Sequence, residues 1–356
     1  MAYLKLYRDK LKHNYNYLNK TFKSRGIEWA IVTKILCGHK DYLVEVIQLG
    51  IKEVCDSRIS NLKKVKEIDE SVQTVYIKPP ARRSISDIVR YADTSFNTEY
   101  ETIKLLSNEA VKQHKLHKII IMIELGDLRE GVMGEQVIDF YAAVFKLPNI
   151  KITGIGSNLN CLHGVMPSED KLVQLSLYKQ LIEMKFNRKI PWVTGGTSVV
   201  FPFILQQRLP EGINHFRIGE TLYFGNNLID NEPVAEMKQG VIKLFTEIIE
   251  LIEKPKVPIG NMAANPSGVE TDVNEDDYGK KSYRAIIDVG LLDISPDFLI
   301  PDDHKIEVTN ASSDMLILDL GENDNNYKVG DLISFKLKYM GALSLLNSSY
   351  IEKIIV

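Results

Sequence analysis

Short apolar runs alternate with helix-like segments eight times between residues 28 and 218, and this rhythm constrains the fold more than any other feature. Apolar runs of this length are typical of parallel strands that are buried on both faces. The runs are EWAIV, EVCD, QTVYI, DTSF, KIIIMIE, KITGIGS, PWVT and HFRI. Eight strand–helix units over about 225 residues predict an α/β protein whose N-terminal domain is a (β/α)8 TIM barrel.

A doubly wound parallel sheet is the alternative fold for alternating strands and helices. Such sheets usually contain fewer units and a glycine-rich turn after the first strand. No strand of this chain is followed by GxGxxG. The sequence therefore favours the barrel.

The pattern changes after about Asp230, where strand-like runs separated by glycine and proline replace the helical spacing. We expect residues 1–232 to form the barrel and residues 233–356 to form a mostly β C-terminal domain. Within the latter, the acidic and polar stretch Thr271–Lys281 predicts a surface loop.

Composition excludes several classes of protein. The 356 residues carry a formal net charge of −3, which gives no basic surface for nucleic acid. No apolar run approaches the ~20 residues that span a bilayer, and no signal-peptide pattern opens the chain. Three cysteines without a CxxC pair and few, scattered histidines argue against a metal site. We expect a cytoplasmic protein without metal, membrane or nucleic-acid partner.

Lys34 directly follows the first barrel strand, at the end where such barrels place their chemistry. A lysine amine shifts its pKa readily when it is buried, which makes Lys34 a candidate Schiff-base nucleophile. On this stretch alone, an ordinary strand-end lysine that reaches solvent is the favoured interpretation.

Two glycine turns follow the seventh and eighth strands, where barrels commonly bind a ligand phosphate. The first turn is Gly195-Gly196-Thr197-Ser198, and the second is Arg217-Ile218-Gly219-Glu220. Backbone N–H groups and hydroxyls in such turns can surround a phosphate group. Both could instead be plain connections between elements, but their consecutive placement with Lys34 favours a phosphorylated cofactor.

The residues around these positions resemble the alanine racemase family of fold-type III pyridoxal-phosphate enzymes. The closest sub-group is the ornithine racemase-like predicted amino acid racemases. The resemblance covers nearly the whole chain. It rests on the segments KLYRDKLKHNYNYL, VTKILCGH, GGTS, FRIGETLYFG, VPIG and ASSDMLILDL.

The resemblance implies roles for individual residues. Lys34 matches the lysine that binds pyridoxal 5'-phosphate covalently and moves the Cα proton. Arg217 matches the arginine that faces the pyridine nitrogen, and Arg129 matches an arginine near the cofactor's phenolic oxygen and the substrate carboxylate. Asp314 matches a position near the substrate entrance that the partner subunit supplies. The remaining implied cofactor contacts are Asn158, Gly196, Thr197, Ser198, Gly219 and Glu220.

The chain also departs from the family pattern. Asn261 stands where the family has a catalytic tyrosine, so the second acid or base that faces Lys34 is not identified by the sequence. Cys37, Asn158 and Met122 replace a tyrosine, a histidine and a lysine of the family's cofactor site. These changes indicate a substrate other than alanine.

The resemblance implies an amino-acid racemase that acts as a head-to-tail homodimer on a small amino-acid substrate. Acidic residues near the expected barrel mouth, Glu124, Glu220 and Asp314, favour a basic substrate such as ornithine or lysine. A decarboxylase or aldolase on the same fold is one alternative, although Arg217 argues against the decarboxylase. A non-enzymatic carrier of the cofactor is another, although such carriers consist of the barrel alone.

Overall fold

The structure is a computed structural model that describes residues 2–264 and 272–356. The chain divides into two compact units. One unit is Arg8–Val241, and the other combines the residues up to Tyr7 with Ile242–Val356. The first strand, β1 (Tyr3–Leu6), therefore belongs to the same unit as the C-terminal part of the chain.

The unit Arg8–Val241 is built on a sheet of parallel strands in the order β8-β7-β6-β5-β4-β3-β2-β10-β9. Strands β8 and β9 are two parts of one extended segment, which is interrupted at Gly195. Because β8 pairs with β7 while β9 pairs with β10, the sheet nearly closes on itself through this interrupted strand. The strands are β2 (Glu28–Val32), β3 (Glu53–Asp56), β4 (Gln73–Tyr76), β5 (Thr94–Asn97), β6 (His117–Met122), β7 (Ile150–Gly156), β8 (Trp192–Thr194), β9 (Gly196–Thr197) and β10 (His215–Ile218).

Helices follow the strands in turn, and together they confirm the predicted barrel. Two helices have the bounds that the hydrophobic spacing predicts, Ile59–Ile68 and Ile85–Tyr91. The helices of this unit are α1 (Arg8–Lys23), α2 (Lys40–Gln48), α3 (Ile59–Ile68), α4 (Ile85–Tyr91), α5 (Tyr100–Lys112), α6 (Val137–Val144), α7 (Glu169–Phe186), α8 (Phe201–Leu205) and α9 (Glu220–Phe224). A short hairpin of β11 (Asn226–Asn227) and β12 (Glu232–Pro233) follows them.

The inside of the barrel is packed with alternate residues of its strands, as the two-residue period of a strand requires. One buried cluster contains a residue from each of β2 to β5 and two from β6: Ala30, Cys55, Val75, Phe96, Ile120 and Met122. Met122 is completely buried there. The family's lysine at this position is thus replaced by an apolar side chain that belongs to the core.

The second unit is mostly β, as predicted. Its main sheet has the order β15-β18-β13-β14-β17-β16, and β1 lies between β13 and β19. The sequence did not predict β15 or the helix α10. The elements are β13 (Ile242–Pro255), β14 (Lys281–Ile287), β15 (Leu299–Pro301), β16 (Glu307–Ala311), β17 (Leu316–Asp319), β18 (Leu332–Leu337), α10 (Tyr339–Asn347) and β19 (Glu352–Ile355).

The acidic stretch predicted as a surface loop is described from Asp272 onward. It contains one helical turn, Glu275–Asp277, before β14 begins, whereas Thr271 lies outside the described residues. Among the helices of residues 2–264 and 272–356, none is long and apolar enough to cross a membrane.

A buried histidine at the start of β6 makes the stability of the barrel dependent on pH. The His117 ring lies 2.8 Å from the Ser95 hydroxyl, and its burial lowers its pKa from 6.5 to about 4. Below pH 6.5 the unfolded chain therefore binds a proton that the folded barrel rejects until about pH 4.

We expect His117 to reduce the free energy of unfolding by about 3 kcal/mol between pH 7.5 and pH 4. Urea unfolding at several pH values would measure this loss, and the His117→Gln variant should lack that part of it. The exposed His13 provides the control, because His13→Gln should follow the wild-type pH dependence. Equal pH dependence in wild type and His117→Gln would contradict the assignment.

Candidate active site

Lys34 lies at the carboxyl end of the barrel, two residues after the last residue of β2. It begins a single helical turn, Lys34–Leu36, instead of ending the strand as the sequence suggested. Its side chain is exposed, so the amine is accessible to a ligand. The exposed side chain fits a lysine that reaches out from the end of the strand, and its place at the barrel mouth keeps Lys34 a candidate Schiff-base nucleophile.

A buried carboxylate on the neighbouring strand fixes the chain directly before Lys34. Asp56, the last residue of β3, is completely buried and accepts a 2.9 Å hydrogen bond from the Thr33 hydroxyl. It also accepts bonds from the Arg58 N–H and the Asn61 amide. Burial raises the pKa of the Asp56 carboxyl, and these donors oppose the rise. The sequence marked Asp56 as a polar strand end without giving it this role.

The turn after Lys34 is held just as closely. Gly38 has a φ of +71°, and a Cβ at this position would overlap the Asn61 side chain. The Lys64 amine donates a 2.7 Å hydrogen bond to the Gly38 carbonyl oxygen. The same helix, α3, therefore supports both sides of the segment that carries Lys34, through Asn61 and Lys64.

The two predicted glycine turns meet at the same end of the barrel. The Ser198 hydroxyl accepts hydrogen bonds from the backbone N–H groups of Gly219 and Thr221, both at 3.3 Å. A Cβ on Gly196 would overlap the Phe216 ring, so only glycine fits there. The Thr197 hydroxyl is buried and has no hydrogen-bond partner within the described residues. A buried hydroxyl without a partner is costly, and at the barrel mouth this hydroxyl is placed to bond a ligand.

Arg217 lies inside the barrel near these turns and is held by four hydrogen bonds. Its guanidinium donates to the carbonyl oxygens of Ser157 and Thr194, to the Thr194 hydroxyl and to the Asn158 amide oxygen, at 2.8–3.1 Å. It also lies 5.0 Å from the centre of the Phe96 ring. Burial lowers the pKa of Arg217. Among the described residues no carboxylate forms an ion pair with it.

Glu130 connects the two arginines of the site, and sequence reasoning missed it. Its carboxylate accepts hydrogen bonds from Nε and Nη2 of Arg129, the latter at 2.6 Å. It also accepts a 2.6 Å bond from the amide nitrogen of Asn158, whose oxygen in turn accepts from Arg217. The hydrogen bond to Glu130 raises the pKa of Arg129. Glu130 directly follows Arg129 in sequence, but only the fold brings Asn158 to it.

Other acidic residues at this end of the barrel have distinct surroundings. Burial raises the pKa of the Glu220 carboxyl, and the positive charge of Lys34 opposes this rise. Asp127 is buried and accepts bonds from the backbone N–H groups of residues 161, 162, 163 and 165, which shapes the loop after β7. Glu124 accepts bonds from two backbone N–H groups of its own loop.

Asp314 and Asn261 belong to the second unit. Asp314 is exposed in the turn between β16 and β17, and Asn261 is exposed in the segment after β13. The structure thus brings together Lys34, Gly196, Thr197, Ser198, Arg217, Gly219 and Glu220 at the barrel mouth, with Arg129 and Asn158 joined to Arg217. It does not add Asp314 to this group.

The fold and the site define a (β/α)8 barrel with a lysine after its first barrel strand, two glycine turns joined through Ser198, and a following β unit. The family model described as "Alanine racemase, N-terminal domain" matches residues 6–227. The chain belongs to the alanine racemase family, as its sequence motifs predicted.

Two curated relatives are similar over almost the entire chain. The chain is 36% identical to the ornithine racemase of Acetoanaerobium sticklandii, over 97% of both chains. It is 31% identical to the lysine racemase of Thermotoga maritima, over 93% of this chain and 91% of the relative. The solved structure of alanine racemase from Bartonella henselae with covalently bound pyridoxal phosphate superimposes with a TM-score of 0.75 at 15% identity. That match covers 100% of this chain and 99% of the other, and it supports the fold.

Proposed function

We propose that the protein is a pyridoxal-phosphate-dependent amino-acid racemase that interconverts the L and D forms of a basic amino acid, such as ornithine or lysine. The observation that carries this proposal is the similarity to an ornithine racemase along 97% of both chains. The barrel mouth of this chain also presents Lys34 close to Glu220, in the turn whose Gly219 N–H donates to Ser198. When bound, pyridoxal phosphate withdraws electrons from the amino acid and makes its Cα proton acidic.

The residues present fit the cofactor. The buried Thr197 hydroxyl needs a partner, and the phosphate group can supply it. Ser198, Gly196, Gly219 and Glu220 complete the turns that would hold the phosphate, and the Lys34 amine would hold the cofactor covalently. Arg217 would face the pyridine ring with a guanidinium that stays charged, which disfavours protonation of the ring nitrogen and favours return of the proton to Cα.

Lys34 would also move the Cα proton, because its amine is exposed at the barrel mouth on a turn that Asp56 holds rigidly. Arg129 presents Nη1 beyond its pair with Glu130 and would bind the substrate carboxylate. Glu220, Glu124 and Asp314 would favour the second positive charge of a basic substrate. Asn261 has no acid–base capacity, so the group that faces Lys34 lies elsewhere.

An exchange experiment in deuterated water tests the activity and the substrate together. The protein, loaded with pyridoxal phosphate, is incubated with single L-amino acids, and loss of the Cα proton and formation of the D form are followed by NMR and chiral chromatography. We expect ornithine and lysine to react faster than alanine. Release of carbon dioxide, or no Cα exchange with any amino acid, would overturn the proposal.

Removal of the Thr197 hydroxyl separates a cofactor contact from a structural one. In Thr197→Val we expect unchanged or slightly increased stability, because the hydroxyl has no partner within the described residues. The affinity for pyridoxal phosphate should fall about tenfold, the value of one hydrogen bond to a charged group. Spectroscopic titration with the cofactor measures this affinity. Thr246→Val is the matched control. Its hydroxyl is also buried and has no partner in residues 2–264 or 272–356, but it lies in the second unit.

We also propose that residues 233–356 of one subunit complete the active site of another in a head-to-tail homodimer. Lys34→Ala and Asp314→Ala subunits, inactive as separate homodimers, would then form hybrids with one intact site of two. Mixing and refolding them at equal ratio should restore about a quarter of the wild-type activity. No recovery in hybrids that are shown to form would contradict a shared site.

A further inference from the structure

A line of polar side chains runs through the interior of the barrel, where branched apolar side chains normally pack. The line consists of Glu53 at the start of β3, His215 at the start of β10, Thr194 at the end of β8, and Arg217. All four are at least nine-tenths buried. The Trp192 ring stacks on His215 with 4.6 Å between the ring centres, so apolar packing encloses the line.

Hydrogen bonds connect these four residues without a break. His215 Nε2 lies 3.0 Å from Glu53 Oε1, and His215 Nδ1 lies 2.8 Å from the Thr194 hydroxyl. Arg217 Nε donates to the same hydroxyl at 3.0 Å. A buried carboxylate at the amino end of the barrel is thereby joined to the guanidinium at the cofactor end.

The number of available protons fixes the direction of each bond. Among the described residues the Thr194 hydroxyl contacts only His215 and Arg217, and it accepts from Arg217. Its single proton therefore has one place to go, which is Nδ1 of His215. Nδ1 is then an acceptor, so the ring proton of a neutral His215 is on Nε2 and is donated to Glu53.

We propose that Glu53 and His215 are positioning residues that hold Arg217 at the cofactor site through the Thr194 hydroxyl. Glu53 accepts the Nε2 proton and so stabilises the tautomer of His215 that the Thr194 proton also requires. In that tautomer the lone pairs of Thr194 turn toward Arg217 Nε. The role of Glu53 and His215 at the cofactor rests on the proposed function. The hydrogen bonds between the four residues do not depend on it.

Two substitutions at Glu53 separate its roles. Glu53→Gln keeps an oxygen that accepts the His215 Nε2 proton, whereas Glu53→Leu removes the acceptor. The holoenzyme is labelled with 15N-histidine, and a two-bond proton–nitrogen correlation at pH 7.5 reports the tautomer of His215. The signal of His215 is assigned among those of the seven histidines by its absence from the spectrum of His215→Gln. We expect the Nε2-protonated form in wild type and in Glu53→Gln, and its loss in Glu53→Leu.

The Glu53 variants should also differ in the exchange of the Arg217 Nε proton and in the reaction rate, although Glu53 lies at the other end of the barrel. In Glu53→Leu we expect faster solvent exchange of the Arg217 Nε proton and a fall in kcat of at least about tenfold, with little change in KM. Glu53→Gln should stay within about threefold of wild type. If Glu53→Leu fails to fold, the double replacement Glu53→Leu/His215→Leu can be used to measure Arg217 exchange and kcat. Apolar side chains can often replace a buried polar pair without loss of stability.

The control is Glu45→Gln, which removes another buried carboxylate from this unit. Glu45 pairs with Arg8 on the outside of the barrel. It should leave the signals of His215 and Arg217 unchanged. An Nδ1-protonated His215 in wild type, or unchanged Arg217 exchange in Glu53→Leu, would overturn the proposal. Because both NMR signals can be read without turnover, failure of the racemase proposal would appear separately, as absence of Cα exchange.

Discussion

Replacing Lys34 with alanine is expected to abolish Cα exchange while leaving the fold intact. The amine would both hold the cofactor and transfer the proton, and each loss alone costs orders of magnitude in rate. We therefore expect a fall of at least about a thousandfold in the exchange rate. Because the Lys34 side chain is exposed, the free energy of unfolding should change by less than about 0.5 kcal/mol.

Three measurements on Lys34→Ala would separate chemistry from folding. Deuterium exchange gives the rate, urea unfolding gives the stability, and the visible absorbance of the loaded protein reports covalent attachment of the cofactor. Lys40→Ala, also exposed and at the start of α2, is the matched control and should behave as wild type. Retained absorbance and exchange in Lys34→Ala would remove the basis of the proposed function.

The second large effect is expected from Arg217→Lys. Lysine keeps the positive charge, but its single nitrogen cannot replace a guanidinium that donates to Ser157, Asn158 and two atoms of Thr194. Buried acceptors would lose their donors at a cost of about 1–3 kcal/mol in the free energy of unfolding. We expect the racemisation rate to fall about a hundredfold, because the ring would lose its fixed neighbour.

Arg208→Lys is the control for Arg217→Lys. Its side chain is more than half exposed and pairs with Glu169 on the outside of the barrel, so the substitution should change neither rate nor stability appreciably. Equal effects of the two substitutions would show that Arg217 contributes no more to the site than a surface arginine.

The barrel could be predicted from the sequence because its strands are buried on both faces. That environment requires short apolar runs, and polar residues such as Lys34, Asp56 and Asn97 lie at or just beyond the ends of several of them, where the strands reach the mouth. The second unit was harder to predict in detail. The helix Tyr339–Asn347 is mostly apolar and lacks a charged face, so its sequence gives no clear helical stripe.

The candidate site was predictable where one segment carries its chemistry. Lys34, Gly195–Ser198 and Arg217–Glu220 are each contained in a short motif. Glu130 and the Glu53–His215 pair depend on contacts between distant segments, and 162 residues separate the last two. The only local signal of Glu53 and His215 is a titratable residue at an inward-facing position of a barrel strand, and Glu130 lies in a loop that gives no such signal. That signal becomes meaningful only when the opposite wall of the barrel is known.

The pairing of β1 with both β13 and β19 has a consequence for biosynthesis. During translation, residues 3–6 leave the ribosome long before their parallel partner at residues 352–355 is made. The barrel residues 8–241 can fold as a unit well before then, while the edge of β1 that pairs with β19 stays unpaired. We expect ribosome-bound chains stalled after residue 300 to contain a protease-resistant barrel and a protease-sensitive N-terminal strand.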